Sequence, residues 1–68
     1  MKELKLREEY IKLGQLLKAV GLVDSGLEAK DVILSGEVFV NDESEVRRGR
    51  KLFKGDKVTA LGEEIKVI

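Results

Sequence analysis

Residues 13–41 read LGQLLKAVGLVDSGLEAKDVILSGEVFVN, and the changes of period inside this stretch decide the fold. Leu13, Leu16, Leu17 and Val20, with Ile11 just before them, recur at three- and four-residue spacings, as one face of a helix does. Gly21 is the natural left-handed stop, with Leu22 able to fold back on the helix. Ser25-Gly26-Leu27-Glu28 is an S-x-x-E capping box that starts a second helix, Ser25 as N-cap and Glu28 reaching back. Leu27, Ala29, Val32 and Ile33 supply its expected buried side, and Gly36 ends it. Beyond Gly36 the period becomes two: Val38 and Val40 point one way, Glu37 and Phe39 the other. So few residues join the helices that they must pack as a tight pair.

Working outward, Leu4 and Leu6 alternate with charged neighbours, which predicts an extended segment near residues 3–7. Asn41-Asp42 and Lys54-Gly55-Asp56 are turn chemistry. Val58 and Ala60, then Ile65 and Val67, read as two strands joined at Gly62-Glu63. The expected architecture is α+β, a helix pair followed by a small, mostly antiparallel sheet, in a single domain over residues 1–68.

Composition narrows function. Apolar residues make up 43% of the 68 and charged residues 38%, enough for a core. No apolar run approaches the roughly 18 residues of a membrane helix. A soluble cytoplasmic protein without a membrane partner is the expectation. There is no cysteine and no histidine, so no disulfide forms and the commonest general base and metal ligand are missing. Glu8-Glu9 and Glu63-Glu64 are sequence neighbours and cannot face each other as a catalytic pair. Asp42, Glu43 and Glu45 lack the ligand series of a calcium loop and read as turn and edge residues. No phosphate-cradling glycine motif occurs, and Ser25, Ser35, Ser44 and Thr59 have no histidine to activate them. Phe53 reads as core, with a stacking platform as the alternative. Neither an enzyme, a metal, a cofactor nor a small-molecule substrate is indicated.

The formal net charge of zero hides an asymmetry. Residues 1–46 carry six Lys/Arg against ten Asp/Glu, whereas residues 47–57 carry six against Asp56 alone. Arg47-Arg48-Gly49-Arg50-Lys51 is the centre of that second block, with Lys54 beside it. Such a run either solubilises a loop and protects a sheet edge, or binds phosphate through the planar donor forks of arginine. Gly49 would let the backbone approach a ligand. An anion there could also meet N–H groups near Ser25 and Gly26, with Glu28 competing for them.

The ordered set of elements resembles the RNA-binding domain named after small-subunit ribosomal protein four. The residues that carry the resemblance are Leu13, Leu16 and Leu17; Gly21-Leu22 and Ser25; Glu28-Ala29-Lys30; Gly36, Val38 and Val40-Asn41; then Val46 and Gly55–Val58. YIKLGQLLK (10–18) and RRGRKLFKGD (47–56) are similar more specifically to the small stand-alone bacterial members, the YaaA-like proteins. The similarity spans about residues 10–68. It implies an αL-type RNA-binding motif, no catalysis, and a structured RNA partner such as ribosomal or transfer RNA, on or off the ribosome or another ribonucleoprotein. Many members of that family carry basic residues where this chain has Gly26, Asp31 and Glu37. Phosphate contact therefore falls on Arg47, Arg48, Arg50 and Lys51, flanked by Lys30 and Lys54, with Ser25 and Gly26 at the helix start and Lys12 or Lys18 as outer contributors. The competing reading is a protein-interaction module or an accessory subunit of a ribonucleoprotein or enzyme.

Overall fold

The computed structural model describes residues 1–68. In chain order the elements are β1 (Lys2–Leu4), β2 (Ile11–Lys12), α1 (Leu13–Ala19), α2 (Gly26–Leu34), β3 (Phe39–Val40), β4 (Glu43–Ser44), β5 (Lys51–Leu52), β6 (Lys57–Ala60) and β7 (Glu63–Val67). The leucine spacing closes into α1 as expected, with Leu13, Leu16 and Leu17 fully buried. Gly21 sits at φ +78°, and the Leu22 N–H donates to the Leu17 carbonyl at 3.0 Å, so the helix is stopped where the glycine predicts.

Ile11 departs from the expected helix. It belongs to β2, opposite Leu52 in a two-stranded antiparallel ribbon with β5. The chain around residues 50–52 offers ladder partners that a first helical turn lacks; the Leu13 N–H goes to the Arg50 carbonyl at 2.9 Å.

In α2 the Ser25 hydroxyl accepts from the Glu28 N–H at 3.1 Å, and the Glu28 carboxylate reaches back to the Asp24 N–H at 2.7 Å. Ala29 and Ile33, four residues apart, form its buried stripe, with Val32 half-buried beside them. Leu27 does not belong to that stripe and is 70% exposed. Two residues before Ala29, it projects about 200° away around the helix axis.

The helices cover one face of a five-stranded sheet ordered β1-β7-β6-β3-β4. Every pairing in it is antiparallel except β1 with β7, which is parallel. Val40 lies opposite Val58, and Val58 opposite Ile65, so the buried side chains stack across the strands. The extended N-terminal segment is present and continues past β1, with the Leu6 N–H donating to the Ile68 carbonyl at 2.8 Å. The β6–β7 turn falls one residue earlier than the sequence suggests. Its two central residues are Leu61 (φ +52°) and Gly62 (φ +78°), and Glu63 already pairs with Ala60. Asn41 (φ +51°) and Asp42 (φ +71°) make the equivalent turn between β3 and β4. No helix is long and apolar enough to cross a membrane.

Candidate nucleic-acid interface

The basic run spans the connection from β4 to β5. Its anchor is Glu45, expected as an edge residue but 6% exposed. The Glu45 N–H is bonded to the Val38 carbonyl at 2.9 Å, which turns the side chain inward. Its carboxylate accepts from Nε and Nη2 of Arg47, each at 3.0 Å, from the Arg47 backbone N–H at 3.0 Å, and from Nη1 of Arg50 at 2.9 Å. The hydrogen bonds from Arg47 and then Arg50 outweigh burial and hold the carboxyl down at about 2. The Arg47 guanidinium is raised in turn, first by its hydrogen bond to Glu45. Arg47 and Arg50 thus use part of their donor sets to order the loop, while keeping outward faces; the Arg47 side chain is 72% exposed.

Arg48 and Lys51 form no ion pair, and neither do Lys12 or Lys18. The Arg48 stem lies across Gly14, and its Nη1 stands 3.5 Å from the Gly26 carbonyl. It thereby bridges the starts of α1 and α2. Beneath it runs a groove of about 320 Å³ lined by Lys12, Gly14, Gln15, Lys18, Gly26, Arg48 and Gly49. Three of those residues are cations and none is a carboxylate. Lys12 also stands directly opposite Lys51 in the β2–β5 ribbon. Facing like charges destabilise a strand pair, so this ribbon carries an unneutralised positive edge. A second recess, about 530 Å³, is formed by Arg47, Gly49, Arg50 and Lys51.

Lys12 and Lys18, expected at the periphery, therefore lie in the centre. Gly26 lines the groove, while the Ser25 hydroxyl is occupied as a helix cap. Lys30 and Lys54 are exposed and line neither recess. Gly14 and Gln15 were not singled out from the sequence. The only available signal was a glycine in the first turn of a helix, where propensity disfavours it.

Beyond Lys12, Gln15 and Lys18 the groove opens into a wider one of about 760 Å³, with Lys5, Arg7, Leu4, Leu6, Tyr10 and Ile11 among its walls. Phe53 is not core; it is 44% exposed. Leu52 takes the inward position on β5, and the next side chain points the other way. Phe53 rests against Tyr10, with ring centroids 6.1 Å apart and a 52° tilt. Lys51 Nζ lies 4.8 Å from the centroid of the Tyr10 ring.

This surface can take a polyanion: cations converge from two strands, a helix and a loop around backbone left bare by glycines. Comparison with known proteins bears on which one. The profile of the S4 domain matches residues 4–68. Over 54 residues the chain is 50% identical to the "Probable ribosome maturation protein RlbA" of Bacillus subtilis (strain 168), covering 79% of this chain and 76% of that protein. It is 32% identical over 62 residues to YbcJ of Escherichia coli (strain K12), covering 91% and 89%. The solution structure of YbcJ from E. coli superposes with a TM-score of 0.77, over 100% of this chain and 87% of that one. That structure is described as revealing an "alfaL motif involved in RNA-binding".

Proposed function

We propose that this chain, which belongs to the S4 domain family, is a non-catalytic protein that binds structured RNA by seating phosphates in the groove of Lys12, Lys18 and Arg48. The observation that carries the reading is the convergence of these three cations, free of carboxylates, beside the facing Lys12–Lys51 pair. Phosphate is the ligand that relieves such crowding, and arginine supplies a fork of donors suited to its oxygens. Arg47, Arg50 and Lys51 extend the contact along the backbone, with Lys30 and Lys54 as outer contributors. The Gln15 Oε1 accepts from the Lys12 N–H at 3.1 Å, so its amide N–H groups are left for a phosphate or a 2′-hydroxyl. Such a surface reads backbone and shape more than sequence.

The name of the Bacillus subtilis relative favours ribosomal RNA during ribosome maturation as the target, which would place the protein in the cytoplasm. Cross-linking and sequencing of bound RNA from cells, beside a folded Lys12→Ala/Arg48→Ala variant, tests this. Wild type should enrich ribosomal RNA segments that the variant loses. With about four phosphates neutralised, log K should fall with log salt at a slope of roughly −3 to −4. The same recovered RNA in wild type and variant, or a flat salt response, would sink the proposal.

A further inference from the structure

The groove beyond Lys12 and Lys18 is unlike the phosphate-seating one, and the difference has a chemical meaning. Its walls include Leu4, Leu6, Tyr10, Ile11 and Ala19, so an apolar floor continues directly from a purely polar channel. Its rim holds Lys5, Arg7, Lys12 and Lys18 against Glu8 alone. Tyr10 and Phe53 stand at this end of the ribbon, both more than a third exposed, although only three aromatic residues exist in the chain. Lys51 covers part of the Tyr10 ring and ties it to the basic loop.

The two grooves share Lys12, Gln15 and Lys18, so a ligand that fits both presents phosphate charge to one and an apolar face to the other. We infer that the Tyr10–Phe53 corner is a stacking seat for one unpaired nucleobase of the RNA, whose backbone phosphates lie in the adjoining Lys12–Lys18–Arg48 groove. The inference rests on the proposed RNA binding and deepens it. It makes the target an RNA helix interrupted by a bulged or junction nucleotide, not an uninterrupted duplex. The physical basis is that a paired base keeps its faces inside its own stack, whereas an unpaired one can leave it and stack on an aromatic ring. The rim cations exclude a cationic or wholly apolar occupant. The two rings are tilted by 52° and not stacked face to face, and each stays more than a third exposed, so ring surface remains open to a base.

The test uses the purified full chain and two fluorescein-labelled probes. One is a blunt, fully paired RNA duplex; the other is the same duplex with one unpaired adenosine. Wild type should bind the interrupted duplex about tenfold more tightly. Tyr10→Phe should keep that preference. Tyr10→Leu, which retains an apolar side chain but no ring, should bind both probes with the wild-type affinity for the paired one. Equal binding of both probes by wild type overturns the stacking seat and leaves phosphate seating intact. A preference that survives in both Tyr10→Leu and Phe53→Leu overturns it as well. Failure of wild type to bind either probe overturns the RNA reading and this inference together. Should Tyr10→Leu not fold, photo-cross-linking of an unpaired 4-thiouridine to wild type decides. Adducts at Tyr10 or Phe53 support the seat, and adducts confined to other residues overturn it.

Discussion

Gly14 and Arg48 are packed backbone against side chain. The Gly14 N–H donates to the Arg48 carbonyl at 3.0 Å, and a Cβ on residue 14 would stand 2.6 Å from Arg48 Cγ. The missing side chain is what lets the arginine lie across α1 and project over the groove.

Gly14→Ala should therefore separate binding from stability. Alanine adds up to about 1 kcal/mol of helix propensity. Forcing the Arg48 stem from its rotamer costs about 0.5–1.5 kcal/mol. The crowded atom is Cγ, close to the backbone, so the clash offsets the propensity gain or exceeds it, and a thermal melt should fall by up to about 8 °C. RNA affinity should fall about five- to tenfold, as for Arg48→Ala, because on the proposed reading both changes remove the same charge–phosphate contact. Adding Arg48→Ala to Gly14→Ala should then cost little more, since both act on one contact. Unchanged affinity in titrations of Gly14→Ala would show that the seat of Arg48 is irrelevant to binding.

The pair Lys12–Lys51 makes a second prediction of opposite signs. Replacing Lys12 with glutamine removes a like-charge pair across β2 and β5, and should leave stability unchanged or raise it by about 0.2–1 kcal/mol. On the proposed reading the same change removes one phosphate contact. Affinity should fall at every salt concentration below about 0.2 M, and the slope of log K against log salt should become shallower by about 0.7–0.9. Denaturant melts and salt titrations of one variant read both effects. A destabilised variant with an unchanged slope would contradict the assignment of Lys12 to the interface.

Leu61 predicts a purely structural gain. It holds φ +52° at the β6–β7 turn and is 49% exposed, so it bears the left-handed conformation without a packing return. A non-glycine residue there costs roughly 1–2 kcal/mol, and asparagine tolerates it better than a γ-branched apolar side chain. Leu61→Asn should raise stability by about 0.5–1 kcal/mol, a rise of roughly 3–8 °C in Tm. RNA affinity should not change, since the turn lines none of the basic recesses.

The helix pair and the sheet were legible because their signals are local. Leu13, Leu16 and Leu17 mark a helix face by spacing, Ser25 and Glu28 mark a helix start, and Val58, Ala60, Ile65 and Val67 mark strand faces by alternation. Leu27, Ile11 and Phe53 were misplaced because their hydrophobicity says nothing of which side they face; the positions of Ala29, Lys51 and Leu52 decide that. The basic run was visible as composition, but its division of labour was not. That Arg47 and Arg50 close on Glu45 while Arg48 remains unpaired depends on the fold of residues 45–50. That Lys12 and Lys18 join Arg48 depends on α1 lying beside the loop. Pairwise contacts between segments about thirty residues apart leave no period in a single sequence.

Glu45 supplies the remaining prediction, in pH. Its folded value is about 2, below the ordinary 4.5. A depressed carboxyl stabilises the fold in full above its unfolded value and loses that contribution as pH falls through the folded one. The window is therefore pH 4.5 down to 2. Glu45→Gln keeps the shape but not the charge, and should cost about 1–2 kcal/mol at pH 7, with solvent around Arg47 limiting the loss. The gap between wild type and variant should close as acid protonates Glu45, because the protonated acid and the amide pair equally poorly with two guanidiniums. Urea melts of both proteins at pH 7, 4.5, 3 and 2 measure that gap directly. A gap that stays constant to pH 2 would mean that Glu45 holds the loop by packing alone, and the order of the basic run would then owe nothing to its buried charge.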